Sequence, residues 1–288
     1  MRQVDIQGHR GARGLFPENT LEGFRAAAAA FAPLGMTAFE LDVGMTRDGV
    51  VVVSHDPALN PDLTRDAAGA WLAGRGPLIH ELTYAELQGF DVGRLRPGSA
   101  TAAQFPEQAA FDGARIPTLA AVLTALPEAR FTIEVKTDPR HPEWTAPAEW
   151  LADAVLAVVD EARAAGRVMV EAFDWRVQRH IRRVRPGIRL AWLTWAETVR
   201  DAVLWWGVTE VRGSVPEQVA AEGGPVWAPD FRDLTEAMVR EAHGLGLSVL
   251  PWTVNRAADT RRLVGWGVDG LISDRPDVAL REAGRVRS

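Results

Sequence analysis

Strand-like and helix-like segments alternate along the whole chain, and eight strand-like segments are separated by helix-like ones rather than by tight turns. The strand patterns cover residues 3–9, 37–43, 131–136, 167–173, 188–194, 226–229, 248–254 and 270–273. Helical patterns cover 21–31, 119–126, 148–165, 176–185, 198–206, 234–244 and 257–266. A helical crossover returns the chain to the end of the sheet where it started, so strands joined this way run parallel. Eight such units predict an α/β fold of the closed (β/α)8 type, a TIM barrel, over an open doubly wound sheet. With 288 residues and 47% hydrophobic content, the chain can bury one large core, and a single domain over 1–288 is expected.

Residues 57–115 break the alternation. They carry the turn formers Pro57, Pro61, Gly69, Gly74, Gly76, Pro77, Gly93, Pro97 and Gly98, with one short helical pattern at 84–89. This stretch reads as a small insertion after the second strand that caps one end of the barrel. Its apolar residues look too scattered to form a core of their own. Ahead of the first helix, Asn19 stands three residues before Glu22, the spacing of a capping box. Thr46-Arg47-Asp48-Gly49 carries the Asp-Gly signal of a hairpin leading into a strand at 50–54.

The second strand pattern carries the chemistry. Glu40 and Asp42 alternate with Phe39, Leu41 and Val43, so both carboxylates leave the strand on one face while the apolar side chains leave on the other. Like charges held side by side are costly unless a cation lies between them, which is the argument for a metal site. Glu134 and Lys136 alternate in the same way with Phe131, Ile133 and Val135. His9 ends the first strand pattern and is followed by Arg10-Gly11-Ala12, a turn that lets backbone and guanidinium approach a ligand. These groups fall toward the C-terminal ends of their strands, where barrels of this kind carry their chemistry. An ion-paired cluster of the carboxylates with Arg10 and Lys136, without metal, is the alternative.

Composition narrows the function classes. A formal net charge of −6 argues against a nucleic-acid partner. The absence of cysteine excludes disulfides, thiolate metal sites and a cysteine nucleophile. No apolar run approaches the roughly 20 residues of a membrane span, so stable membrane insertion is not expected. Residues 1–8 pass straight into the first strand pattern, which predicts no signal peptide and a cytoplasmic location. The arginines between Arg176 and Arg189 have the spacing of a solvated helix face.

His9-Arg10-Gly11, Pro17-Glu18-Asn19-Thr20, Glu40-Leu41-Asp42-Val43, Thr46-Arg47-Asp48-Gly49, His55-Asp56, Glu134-Val135-Lys136 and the terminal run from Gly267 to Pro276 together resemble the glycerophosphodiester phosphodiesterase family. The resemblance covers the whole chain. It implies a TIM barrel with an insertion after the second strand, His9 and His55 as an acid/base pair, and Glu40, Asp42 and Glu134 as ligands of a divalent cation. It also implies that Arg10 and Lys136 neutralise the phosphate, and that Trp252 lines the glycerol side of the pocket. Trp252 is one of 11 tryptophans, most of which serve packing, and packing is its alternative role. Oxygen-only ligands select a hard ion, Mg²⁺ or Ca²⁺, over Zn²⁺. The implied substrate is a small glycerophosphodiester such as glycerophosphocholine or glycerophosphoethanolamine. A lysophospholipase D and a non-catalytic phosphate-ester binding barrel are the alternatives. One departure is evident: where relatives often carry Gln-Ser before Phe-Asp, this chain has Glu171-Ala172-Phe173-Asp174, which adds a carboxylate near the site.

Overall fold

The computed structural model describes residues 4–285. Its strands are β1 (Asp5–Gly8), β2 (Ala38–Met45), β3 (Val51–Val53), β4 (Arg130–Val135), β5 (Val168–Ala172), β6 (Arg189–Thr194), β7 (Val226–Pro229), β8 (Ser248–Val249) and β9 (Gly270–Ser273). Eight of them follow the parallel order β8-β7-β6-β5-β4-β2-β1-β9, while β3 lies antiparallel on β2 with Val53 opposite Val43. The ring closes between its outer strands, where the Val254 N–H donates to the Ile272 carbonyl at 2.9 Å and the Ile272 N–H to the Pro251 carbonyl at 3.0 Å. The expected (β/α)8 barrel is present.

Helices α1 (Leu21–Phe31), α2 (Tyr84–Leu87), α3 (Ala100–Gln104), α4 (Leu119–Ala125), α5 (Ala148–Glu161) and α6 (Trp175–Val184) lie in the first part of the chain. They are followed by α7 (Ala196–Arg200), α8 (Ala202–Trp205), α9 (Val215–Ala221), α10 (Glu236–Gly244), α11 (Ala257–Gly265) and α12 (Pro276–Arg285). A parallel barrel is covered outside and filled inside, so its strands are buried on both faces. On β2 and β4 the outward faces carry Phe39 and Phe131, each packed edge-on against Phe24 of α1 with ring centroids about 6 Å apart. The inward faces divide in two. On β5 to β9 they supply Met169, Ala191, Leu193, Val226, Ala228, Leu250 and Ile272, a separate apolar cluster. On β1, β2 and β4 they are polar.

Three local expectations need correction. The N-cap of α1 is Thr20, whose Oγ1 accepts from the Gly23 N–H at 3.0 Å, rather than Asn19. The regular ladder of the strand expected at 248–254 covers Ser248–Val249 alone, because Pro251 has no N–H to donate. The chain nevertheless stays alongside β7, with the Trp252 N–H on the Pro229 carbonyl at 3.1 Å. Within the insertion the apolar residues are gathered rather than scattered: Leu59, Ile79 and Leu87, with Ile116 just beyond it, cluster on Val52 of β3. A second short helix, α3, joins α2 there. The insertion is thus seated on the hairpin that follows β2, beside the C-terminal mouth. A cavity of about 610 Å³ opens at the opposite, N-terminal end, lined by Gln7, Arg130 and Thr132 among others. It includes none of the residues singled out above for chemistry.

Candidate active site

The mouth is assembled from residues that force unusual backbone. Directly after β1 the chain folds into a tight turn over His9–Gly11, and a side chain at Gly8 would place its Cβ 2.1 Å from the Gly11 carbonyl oxygen. Arg10 and Asn19 both adopt left-handed conformations, with φ of 51° and 54°, which non-glycine residues occupy at a cost. Both grip carboxylates. The Arg10 backbone N–H donates to Glu40 Oε2 at 3.0 Å, and Asn19 Nδ2 donates to Asp42 Oδ2 at 2.9 Å. The Arg10 guanidinium donates to Glu18 Oε1 at 2.8 Å and lies 3.2 Å from Asp42 Oδ2.

Strand register aligns the acids. Asp42 of β2 stands beside Glu134 of β4, which stands beside Glu171 of β5. Carboxylate oxygens of Glu40, Asp42 and Glu134 lie within 4.8 Å of one another, and all three residues are buried. Lys136 Nζ donates to Glu134 Oε1 at 2.8 Å and lies 3.6 Å from Asp42 Oδ1. These cations do not saturate the cluster: Glu40 Oε1, Asp42 Oδ1 and Glu171 Oε2 are buried with no hydrogen-bond partner.

The electrostatics record the same imbalance. Burial, then the charges of Asp42, Glu171 and Glu134, push the Glu40 carboxyl well up against the opposing pull of Arg10. Burial raises Glu134 to about 7, although Lys136 opposes it. Burial also raises Glu171, with Glu134 and Asp42 adding to the effect. Burial acts upward on Asp42 as well, but Arg10, His55, Lys136 and His9 overcome it and hold this carboxylate well below its usual range.

Each histidine is backed by its own aspartate. His9 Nδ1 lies 2.5 Å from Asp274 Oδ1, and its Nε2 is 3.6 Å from Glu40 Oε2. Asp274 follows β9 and is held by Asn255 Nδ2 at 2.7 Å and Arg13 Nε at 2.8 Å. His55 Nδ1 is 2.8 Å from Asp56 Oδ1, and Asn60 Nδ2 donates to Asp56 Oδ2 at 2.7 Å. A carboxylate on Nδ1 fixes the tautomer and turns Nε2 toward the site. Burial lowers the pKa of both rings, and with the charges of Arg10 and Lys136 it brings His55 to about 4. The pairing with His55 holds Asp56 near 2 against the upward pull of burial. Trp252 is half-buried; its indole N–H donates to the Ala228 carbonyl at 2.9 Å and its ring meets Phe173 edge-on at 5.5 Å.

The structure therefore brings together His9, Arg10, Glu40, Asp42, Glu134 and Lys136 at one end of the barrel, with His55 on the hairpin beside them. Sequence reasoning gave no role to Asp274, Asn255 or Asn60, and read Asn19 only as a helix cap. In the sequence Asp274 is legible only as a carboxylate directly after the last strand pattern, within the terminal run that carries the family resemblance.

The profile of the glycerophosphoryl diester phosphodiesterase family matches residues 9–278. The chain belongs to this family. It is an enzyme of the phosphodiesterase class. A glycerophosphodiester phosphodiesterase of Bacillus subtilis (strain 168) is 27% identical over 279 residues, covering 94% of this chain and 83% of the relative. Another, from Caldanaerobacter subterraneus subsp. tengcongensis, is 26% identical and covers 96% of each chain. A crystal structure from Silicibacter pomeroyi DSS-3 with the same family designation superposes with a TM-score of 0.90 at 38% identity, covering 99% of this chain and 95% of that one. An Oleispira antarctica phosphodiesterase, solved in complex with its product sn-glycerol-3-phosphate, shares the fold with a TM-score of 0.73 at 20% identity.

Proposed function

We propose that this phosphodiesterase hydrolyses small glycerophosphodiesters such as glycerophosphocholine or glycerophosphoethanolamine to sn-glycerol 3-phosphate and a free alcohol, with a divalent cation and two-histidine acid/base catalysis. The observation that carries the reading is the compact triad of Glu40, Asp42 and Glu134, whose oxygens lie within 4.8 Å of one another. It is flanked by His9 and His55, each turned by an aspartate. Glu40 Oε1, and Asp42 Oδ1 with only the Lys136 ammonium at 3.6 Å, fit a cation, since a buried carboxylate oxygen without a hydrogen-bond donor is costly. Carboxylate oxygens suit the hard ions Mg²⁺ and Ca²⁺. When bound, the ion supplies Lewis-acid stabilisation of charge on the phosphoryl oxygens.

The chain's own residues do the rest. Arg10 and Lys136, already at the carboxylates, present positive charge to the phosphate. One histidine takes a proton from the nucleophile through Nε2 while the other gives one to the departing alcohol. The nucleophile is water or the glycerol 2-hydroxyl, the latter by way of a cyclic phosphate that is then hydrolysed. Trp252 and Phe173 offer an apolar wall against the glycerol carbons.

Two expected outcomes test the reading. First, at matched concentrations glycerophosphocholine is turned over faster than lysophosphatidylcholine, measured as choline released. No helix among the described residues is long and apolar enough to cross a membrane, and the arginine-rich helix α6 has Trp175, Val177 and Ile181 of its apolar face buried in the protein rather than free to hold lipid. Faster release from lysophosphatidylcholine would make the enzyme a lysophospholipase D instead. Second, the gain in melting temperature on adding Mg²⁺ or Ca²⁺ to chelator-stripped protein is larger at pH 8 than at pH 6. Glu134, raised to about 7, and Glu40 must lose their protons to hold a cation, so binding releases protons and strengthens as pH rises. A gain that is flat or that falls with pH would contradict the assignment of the triad.

A further inference from the structure

Glu171 is the fourth acidic residue of the mouth and the one to which the reaction above gives no work. Its position is fixed by register: it stands on β5 beside Glu134 of β4 on one side and Ala191 of β6 on the other. Beyond Ala191 the inner wall is apolar, with Leu193, Ala228 and Leu250. The polar surroundings of its carboxylate therefore lie on the side of Glu134 and Asp42. It is 1% exposed, and its Oε2 has no hydrogen-bond partner. The neighbouring cations are engaged elsewhere, Lys136 on Glu134 and Asp42, and Arg10 on Glu18 and Asp42. Fully buried and unpaired, the ionised form of this carboxylate calls for a positive partner that the chain does not provide.

We propose that Glu171 is a fourth carboxylate donor of the cation site, set back from the triad, and that it makes the site prefer Ca²⁺ to Mg²⁺. The inference rests on the reading of Glu40, Asp42 and Glu134 as cation ligands. Glu171 is not part of the set whose oxygens lie within 4.8 Å of one another. Mg²⁺ takes six ligands at about 2.0–2.1 Å, keeps several waters and is commonly held by one or two carboxylates; Ca²⁺ takes six to eight oxygens at about 2.3–2.6 Å with flexible geometry. A fourth donor behind a compact triad adds little to the small ion and completes the shell of the large one.

The test is calorimetric titration of chelator-stripped protein with CaCl₂ and, separately, MgCl₂, comparing wild type, Glu171→Gln and Glu134→Gln. The amide keeps the shape of the side chain and removes its charge. We expect Glu171→Gln to weaken Ca²⁺ binding by at least about tenfold and Mg²⁺ binding by less than about threefold, as loss of a ligand that only the larger ion uses requires. Unchanged Ca²⁺ affinity, or equal losses for both ions, overturns the proposal. Glu134→Gln separates the two levels of the argument. Loss of both ions in that variant with none in Glu171→Gln leaves the triad standing and overturns the role of Glu171 as a fourth donor. Wild-type affinity in Glu134→Gln removes the triad itself, and the proposal with it. Should the Gln variant not fold, Glu171→Asp, which keeps the charge and withdraws the oxygens, is expected to weaken Ca²⁺ binding selectively; an unchanged Ca²⁺ to Mg²⁺ ratio overturns the proposal equally.

Discussion

His9→Ala and His55→Ala are each expected to lower turnover of glycerophosphocholine by roughly 10²–10⁴-fold, the range typical of general acid–base catalysis. Cation affinity should stay nearly intact, because neither ring belongs to the carboxylate triad. The losses should not add in the double variant, since both groups serve one proton-transfer sequence. Both rings are anchored at Nδ1 by an aspartate; the base acts through an unprotonated Nε2 and the acid through an Nε2 that carries a proton, and the substrate identifies which ring holds each role. A diester with a good leaving group such as p-nitrophenolate needs little protonation as it departs. It should rescue the variant lacking the general acid and leave the variant lacking the base impaired. The pH dependence of turnover should be a bell whose limbs belong to the pair rather than to either ring. Near wild-type turnover in both variants would remove the acid/base assignment.

The second large effect concerns the triad. Glu40→Gln and Glu134→Gln should each reduce turnover by about 10³-fold or more, since Lewis-acid stabilisation is worth several kcal/mol and each 1.4 kcal/mol is a factor of ten. The stability change should have opposite signs in the two states of the protein. Without cation, Glu40 is a buried acid pushed up by burial and by Asp42, Glu171 and Glu134. Its ionised form costs stability as pH rises above the ordinary carboxylate range, so the Gln variant should melt higher than wild type near pH 8. With saturating cation, wild type should melt higher, because binding to the folded state stabilises it. Thermal melts of both proteins in chelator and in excess Ca²⁺ or Mg²⁺ measure both signs. A Gln variant less stable than wild type in both conditions would mean that Glu40 is satisfied by Arg10 alone.

Much of this arrangement was readable from the chain because a barrel imposes two periods at once. Period-two alternation in 39–43 and 131–136 put the carboxylates on the inward face, and the β2–β4 register then brings Asp42 beside Glu134. What escaped depends on loops and on residues far apart in sequence. Asn19 has the composition of a helix cap, but Thr20 can cap the same helix, which frees Asn19 to turn left-handed and hold Asp42. Asp274 lies 265 residues from His9, and the parallel pairing of β1 with β9 is what makes them neighbours. The packing of the insertion escapes for a related reason: Leu59, Ile79 and Leu87 look isolated along the chain until Val52 of the hairpin gives them a common floor.

The central claim, that a divalent cation and this mouth together hydrolyse small glycerophosphodiesters, is tested most directly by one assay. Purified protein is incubated with glycerophosphocholine in chelator, and again after Mg²⁺ or Ca²⁺ is restored in excess, with sn-glycerol 3-phosphate and choline quantified in each arm. The account predicts equal amounts of both products with cation and neither without it, with activity recovered on restoration. Full turnover in excess chelator, or phosphocholine and glycerol as the products, would contradict it.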